Sequence, residues 1–76
     1  MNDLERFQAL QRLLVDAGFA TTLEARREAN EAVFSLSVDL GKQTPEEMAV
    51  LAEITTKNNF AFVVDGNRAD ISLLET

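Results

Sequence analysis

Carboxylates, hydroxyls and a few basic side chains are the only groups in this sequence that could do chemistry. The 76 residues include no Cys, His, Trp or Tyr. Thiol and imidazole nucleophiles, His-based proton transfer, disulfides and Cys/His zinc sites are therefore excluded. We expect a protein that is not an enzyme and that holds no metal and no cofactor.

Two acidic segments have a superficial likeness to functional sites. Paired carboxylates can act as general acid and base, and the first hairpin holds Glu24, Glu28 and Glu31. Two arginines lie among them, however, and a predicted loop provides no pocket that would shift their pKa values apart. Weak charge pairs on a solvated hairpin are the better interpretation. The segment 65–70 has some features of a calcium loop, yet it lacks the ligand and the glycine expected at its fifth and sixth positions. We interpret it as a turn.

The charge balance limits the partners. The sequence carries 13 Asp and Glu residues against 7 Lys and Arg, a net charge of −6. Such a chain repels a phosphate backbone, so we expect no direct binding to nucleic acid. The same acids define an alternative function, a phage-type inhibitor that presents carboxylates where a nucleic-acid-binding protein accepts phosphates. The acids that suit this role are those of the first hairpin together with Asp3, Glu5, Asp16, Glu46, Glu47 and Glu53.

Size and hydropathy predict one small folded domain, 1–76. Hydrophobic residues make up 46% of the chain, which is enough for a core, but no apolar stretch has the length of a membrane span. The segment 1–5 is acidic and polar, unlike a secretory signal, so we expect a cytoplasmic protein without membrane partners. The core of such a domain supplies only about 3–5 kcal/mol, which favours homo-oligomerisation.

A first helix is predicted from Asn2 to Ala17. Its apolar residues recur every three or four positions, the period of one helix face. Asn2 suits the N-cap with Glu5 as its capping-box partner, and Gly18 suits the left-handed residue that ends a helix. The predicted buried stripe is Leu4, Phe7, Leu10, Leu13, Leu14 and Ala17.

A second helix begins at the strongest local signal in the sequence, after a short loop 40–43. Thr44 is the predicted N-cap, Pro45 occupies the first helical position, and Glu47 completes a capping box. The two asparagines 58–59 predict the end of the helix. The predicted buried stripe is Met48, Leu51, Ala52, Ile54 and Thr55.

Period-two alternation predicts a first hairpin. Its strands run from Thr21 to Arg27 and from Ala32 to Leu40, and a four-residue loop 28–31 joins them. This loop fixes a register in which both apolar sets lie on one face. The expected pairs are Ala25 with Phe34 and Leu23 with Leu36.

A second hairpin is predicted between residues 60 and 73. Alternating apolar residues flank the turn signal Asp65-Gly66-Asn67-Arg68, and a tighter two-residue turn keeps the same face. Only residues 75 and 76 remain as a tail. The expected pairs are Val64 with Ala69, Phe62 with Ile71 and Phe60 with Leu73.

The element order α-β-β-α-β-β predicts an α+β fold, a two-layer sandwich. Two helices then cover one face of a four-stranded antiparallel sheet. Hairpins joined side by side give the strand order 1-2-4-3, the topology of a ferredoxin-like unit whose first strand has moved to the end by circular permutation. A shift of forty-one residues superimposes the pattern of about 1–40 on that of 41–76, which suggests two αββ half-repeats.

The uncovered face of the sheet is the predicted interaction surface. Its middle is small and partly apolar, whereas a solvated sheet face usually carries long charged side chains. The alternative is a neutral face exposed to water. The third strand carries no charge before Asp65, so we expect it in any native interface if it is an edge, whereas a central position would explain its apolar run by burial. The predicted partner-binding residues are Val33, Ser35, Ser37, Ala61, Val63, Ser72 and Leu74.

The favoured function is a non-enzymatic protein–protein interaction module that forms a homodimer or serves as a small subunit of an assembly. The open sheet face, the small core and the missing catalytic groups favour it. The acidic inhibitor is the alternative. A small-ligand regulatory domain is compatible with the fold class, but no residue in the sequence specifies a ligand.

Overall fold

Two helices and four strands follow one another in the order that the sequence predicts. The computed structural model describes residues 2–41 and 44–74. Part of the predicted loop 40–43 and the predicted tail 75–76 lie outside the described residues. The elements are α1 (Asp3–Asp16), β1 (Ala20–Glu28), β2 (Glu31–Asp39), α2 (Pro45–Lys57), β3 (Phe60–Asp65) and β4 (Arg68–Leu73).

The strands form one antiparallel sheet with the order β1-β2-β4-β3. β2 and β4 pair at the centre, so β1 and β3 are the two edges. The predicted strand order and the predicted α+β two-layer fold are confirmed. The alternative in which the third strand is central is wrong.

Both predicted N-caps are confirmed. The Asn2 Oδ1 atom accepts a hydrogen bond from the Glu5 N–H at 2.8 Å. The Thr44 hydroxyl accepts from the Glu47 N–H at 3.2 Å and lies 3.3 Å from the Glu47 Oε1 atom. These bonds satisfy N–H groups that have no partner within the helix, and Pro45 removes one such donor altogether.

Both helices end at a residue in the left-handed conformation, as predicted. Gly18 follows α1 with φ +97°, and Asn59 follows α2 with φ +63°. After Gly18 the Phe19 N–H donates to the Leu14 carbonyl at 3.0 Å, the long bond of a Schellman motif. This ending turns the chain into β1 and leads Phe19 into the core.

The core lies between the helices and the inner face of the sheet. Phe7 of α1 joins the two hairpins, because its ring centroid lies 6.4 Å from that of Phe34 in β2 and 5.2 Å from that of Phe60 in β3. Tilted ring pairs at these distances are favourable. The buried residues of this cluster are Phe7, Leu10, Leu14, Phe19, Leu36, Val38, Leu40, Leu51, Phe60, Ala69 and Ile71.

The first hairpin has a two-residue turn, so the predicted four-residue loop is wrong. Glu28 pairs with Glu31, and Ala29 and Asn30 form the turn with φ +48° and +67°. Positive φ at both positions is the mark of a type I′ turn. Alanine rarely adopts positive φ, which hid this turn from the sequence analysis. The loop loses one residue at each end, so the register of the first hairpin is unchanged and its predicted pairs are confirmed. The predicted pairs of the second hairpin are confirmed as well.

The buried stripe of α1 is narrower than predicted. Phe7, Leu10 and Leu14 are buried, but Leu13 is 44% exposed and Ala17 is exposed as well. The reason is that only one layer of sheet covers the helix. Apolar residues on the flank of such a helix remain in contact with solvent.

Candidate interaction surface

One face of the sheet points away from the helices and is here called the outer face. Every second residue of each strand belongs to it. Successive strand side chains alternate between faces, and the register aligns outward residues into rows across the sheet. In one row Ser37 of β2, Asp70 of β4 and Val63 of β3 lie side by side. Six of the seven predicted partner-binding residues belong to this face, and Leu74 directly follows β4. Val33, Ser35, Ser37 and Ala61 are half-buried, whereas Val63, Ser72 and Leu74 are exposed.

An ion pair that the sequence analysis missed lies on the outer face. The Arg68 Nε atom is 3.1 Å from the Asp70 Oδ1 atom, and Asp70 neighbours both Ser37 and Val63. Alternation along β4 already assigns both charged residues to this face, so the signal was present in the sequence. Both side chains are largely exposed, so the pair adds little stability, but its burial under another surface requires the desolvation of two charges.

One end of the outer face is acidic. Asp39, Arg68 and Asp65 form the row beside the second turn. With Glu24 they line a shallow groove of about 510 Å³. Among the described residues, no three Asp, Glu, His or Cys side chains are arranged to hold a metal ion. This end of the face therefore resembles a solvated charged surface.

The free side of β3, here called the β3 edge, differs from the rest of the surface. No charged residue occurs from Asn58 to Val64. In the described sheet, β3 has a neighbouring strand on one side only, β4. Val63 on the outer face is 69% exposed, and Val64 on the inner face is 49% exposed. The strand thus presents apolar side chains on both faces beside unpaired backbone groups.

The other edge strand, β1, is charged. Its half next to the turn is exposed throughout. The Arg26 Nη2 atom lies 4.0 Å from the Glu28 Oε1 atom. Charged side chains along an edge discourage pairing with another chain. The charged residues of β1 are Glu24, Arg26, Arg27 and Glu28.

The first hairpin extends beyond the rest of the sheet. The pairing of β2 with β4 spans only Leu36–Asp39, and residues 25–32 are exposed on both faces. Where β2 and β4 separate, Val33, Ser72 and Asp3 contribute to a groove of about 310 Å³. A gap between β2 and β4 therefore lies between Val33 and Ser72. Both are predicted partner-binding residues, and in the described sheet no backbone pairing joins the two strands at this point.

The acids of the alternative function lie mainly on the helices. Asp3 and Glu5 occupy the first turn of α1, and Glu46 and Glu47 the first turn of α2. There they interact favourably with the positive end of the helix dipole. Glu53 forms an exposed ion pair with Lys57, which lies one helical turn further along α2. Local helix stabilisation thus accounts for these five acids without a binding partner.

Comparison of this chain with known proteins identified no similar protein. The chain matches no protein-family model, and no curated protein or solved structure is significantly similar to it. Neither helix, over the described residues, combines the length and apolar character needed to cross a membrane. The surface itself is the basis for a functional argument.

Proposed function

We propose that the chain is a small cytoplasmic, non-enzymatic interaction module that binds a second copy of itself through the β3 edge and the adjoining outer face. The observation that carries this proposal is an edge strand that is uncharged up to Asp65 and has Val63 and Val64 exposed, on a chain whose net charge is −6. Such a strand tends to recruit other chains unless a partner covers it. A homodimer interface, or the equivalent contact in a larger assembly, supplies that cover.

The energy gained by covering these valines is large for a domain of this size. Complete burial of a valine side chain contributes roughly 1.5 kcal/mol or more. A symmetric dimer covers Val63 and Val64 of both copies. The sum is comparable with the ~3–5 kcal/mol that a single small core supplies, so association would add substantially to stability.

The outer face near β3 extends the same surface. Ala61 and Val63 lie beside the edge on this face, and Ser72 follows on the neighbouring strand. Small side chains permit the close approach of another surface. The remaining predicted residues, Val33, Ser35, Ser37 and Leu74, flank this region and form its margin.

A pair of matched lysine variants tests the proposal. Val63 on β3 and Val15 on α1 are both exposed valines, 69% and 53%, in different layers of the fold. We expect Val63→Lys to sediment as a monomer at concentrations where the parent chain and Val15→Lys sediment as dimers. Equal association of the two variants would contradict the proposal.

The acidic inhibitor remains the alternative, supported by the net charge of −6. It predicts binding to a basic protein that weakens steeply as salt is added and that depends on several acids together. Association through the uncharged β3 edge is expected to change little with salt. A salt titration of affinity therefore distinguishes the two functions.

A further inference from the structure

The direction of the backbone groups in β3 determines how a second copy can dock. Asp65 and Arg68 pair directly across the two-residue turn 66–67. In such a hairpin the flanking residues exchange both hydrogen bonds, so odd-numbered residues of β3 bond to β4 and even-numbered residues face the open side. The bond from the Leu74 N–H to the Asn59 carbonyl, 2.9 Å long, agrees with this parity.

The even-numbered residues of the β3 edge therefore offer a ladder of donors and acceptors. Phe60, Phe62 and Val64 direct their N–H and C=O groups away from β4, toward the side without a neighbouring strand in the described sheet. An added strand satisfies such groups by β-augmentation. The odd residues Ala61 and Val63 have their backbone groups engaged with β4.

We propose that two copies of the chain pair antiparallel through β3, with the two-fold axis at Phe62, and so join their sheets into one continuous sheet. This inference rests on the proposed function and specifies its geometry. Every edge-directed backbone group of β3 then has a partner in the second copy. The facing pairs are Phe62 with Phe62, Phe60 with Val64, and Ala61 with Val63.

The distribution of charge favours a second copy at this edge. Asp65 is the nearest acid on the strand, and in this register the two Asp65 residues lie at opposite ends of the paired segment, roughly 20 Å apart at about 3.4 Å per residue. That separation exceeds the ~8 Å screening length at physiological salt. The edge itself holds no carboxylate that would attract a basic foreign segment instead.

An uncharged flank of α2 continues the same surface on the helical side. Met48, Ala52 and Thr56 recur every four residues and so lie along one side of the helix. Lys57 of α2 shares a groove with Arg6 of α1, which places α1 along the other side. The two-fold axis stands perpendicular to the sheet, so the α2 helices of both copies approach each other along this uncharged flank.

Stacking of two outer faces is less favourable than edge pairing. A stacked dimer buries the Arg68–Asp70 ion pair beneath the partner, together with the acidic row of Asp39 and Asp65. Desolvation of these charges opposes association. Edge pairing brings only Ala61 and Val63 of the outer face beside the partner and leaves the Arg68–Asp70 ion pair in water.

Amide exchange tests the pairing without any variant. In samples whose monomer and dimer content is measured by sedimentation, we expect the N–H groups of Phe62 and Val64 to exchange at least about tenfold more slowly in the dimer than in the monomer. The N–H groups of Ala61 and Val63 should be protected in both. Fast exchange at Phe62 and Val64 in a demonstrated dimer would overturn the pairing and leave self-association intact. Absence of any dimer would overturn both.

Two substitutions at Val64 provide a second test. Val64→Pro removes the N–H that faces the open edge, a position where an edge strand tolerates proline, while Val64→Ala removes side-chain area and keeps the N–H. We expect the dissociation constant of the proline variant to exceed that of the alanine variant about tenfold or more, with both monomers folded by circular dichroism. Equal dissociation constants for the two folded variants would contradict pairing through this amide.

Discussion

The two edge strands belong to hairpins of the same design, yet they offer another chain very different surfaces. β1 and β3 each pair with one central strand through a two-residue turn. β1 is lined by charges along its exposed half, whereas β3 is uncharged up to Asp65. Strand order thus determines which strands are edges, while side-chain charge determines which edge is open to a partner.

The two hairpins also differ in how firmly the core holds them. Phe60 of β3 is 2% exposed and lies 5.2 Å from Phe7 by ring centroids, while Phe34 of β2 is half-buried at 6.4 Å. The first hairpin continues past the helices into solvent. The edge that is open to a partner is therefore carried by the better anchored hairpin.

The largest expected effect comes from the aromatic anchors. Phe60→Ala should lower the free energy of unfolding by about 3–5 kcal/mol, because it leaves a cavity in the core, and this loss is enough to unfold the isolated monomer. Phe34→Ala should cost markedly less, because that ring is only half-buried. Circular dichroism without denaturant should then show Phe60→Ala largely unfolded, while urea denaturation measures the smaller loss in Phe34→Ala. Equal losses would contradict the proposed difference in anchoring.

A second experiment removes the charges that close the β1 edge. The triple variant Glu24→Val, Arg26→Val and Glu28→Val leaves Arg27 as the only charged residue of β1. We expect species larger than a dimer, because two open edges on each chain permit open-ended association. Light scattering detects them, and Arg12→Val on the exposed surface of α1 is the control. A strict dimer in the triple variant would show that the charges of Glu24, Arg26 and Glu28 are not what closes this edge.

The turns of the two hairpins give a smaller effect of opposite sign. Gly66 has φ +62° and Ala29 has φ +48°, so each turn requires the left-handed region at its first position. Gly66→Ala should destabilise by about 1 kcal/mol, whereas Ala29→Gly should stabilise by about 0.5 kcal/mol through the relief of strain. Thermal unfolding at low concentration measures both. A destabilising Ala29→Gly would mean that the turn is not strained.

The smallest effect is expected at the ion pair of the outer face. Asp70→Asn should change the stability of the monomer by no more than about 0.5 kcal/mol, since the pair is exposed. Under edge pairing the dissociation constant of the dimer should also stay unchanged. A changed dissociation constant for this variant would indicate that the outer faces stack, because the Arg68 charge would then be buried without its partner.

The fold was predictable because its signals are local. Thr44 with Glu47, Gly18, and the alternation along Phe60 to Val64 each depend on residues that are close in sequence, and each prediction is confirmed. The strand order was predictable only on the condition that the hairpins join side by side through their second strands, because apolar sets on one face also allow other orders; the sheet has the order β1-β2-β4-β3.

The surface was less predictable because it depends on how far each element reaches. Leu13 and Val64 have the parity or spacing of core residues, but they lie where the opposite layer ends, and no local pattern encodes that limit. The separation of β2 from β4 beyond Leu36 has the same origin. Alternation along β4 alone was enough to place Asp70 on the outer face. Because its charge opposes burial of that face, the β3 edge is the better interface.

Sedimentation equilibrium of the unmodified chain over a wide concentration range measures whether a second copy binds. We expect a reversible change from the 8.4 kDa monomer to a dimer, described by one dissociation constant that salt alters little. A single 8.4 kDa species at every concentration up to about 1 mM, the weak end of the affinity scale, would contradict the claim that the β3 edge binds a second copy.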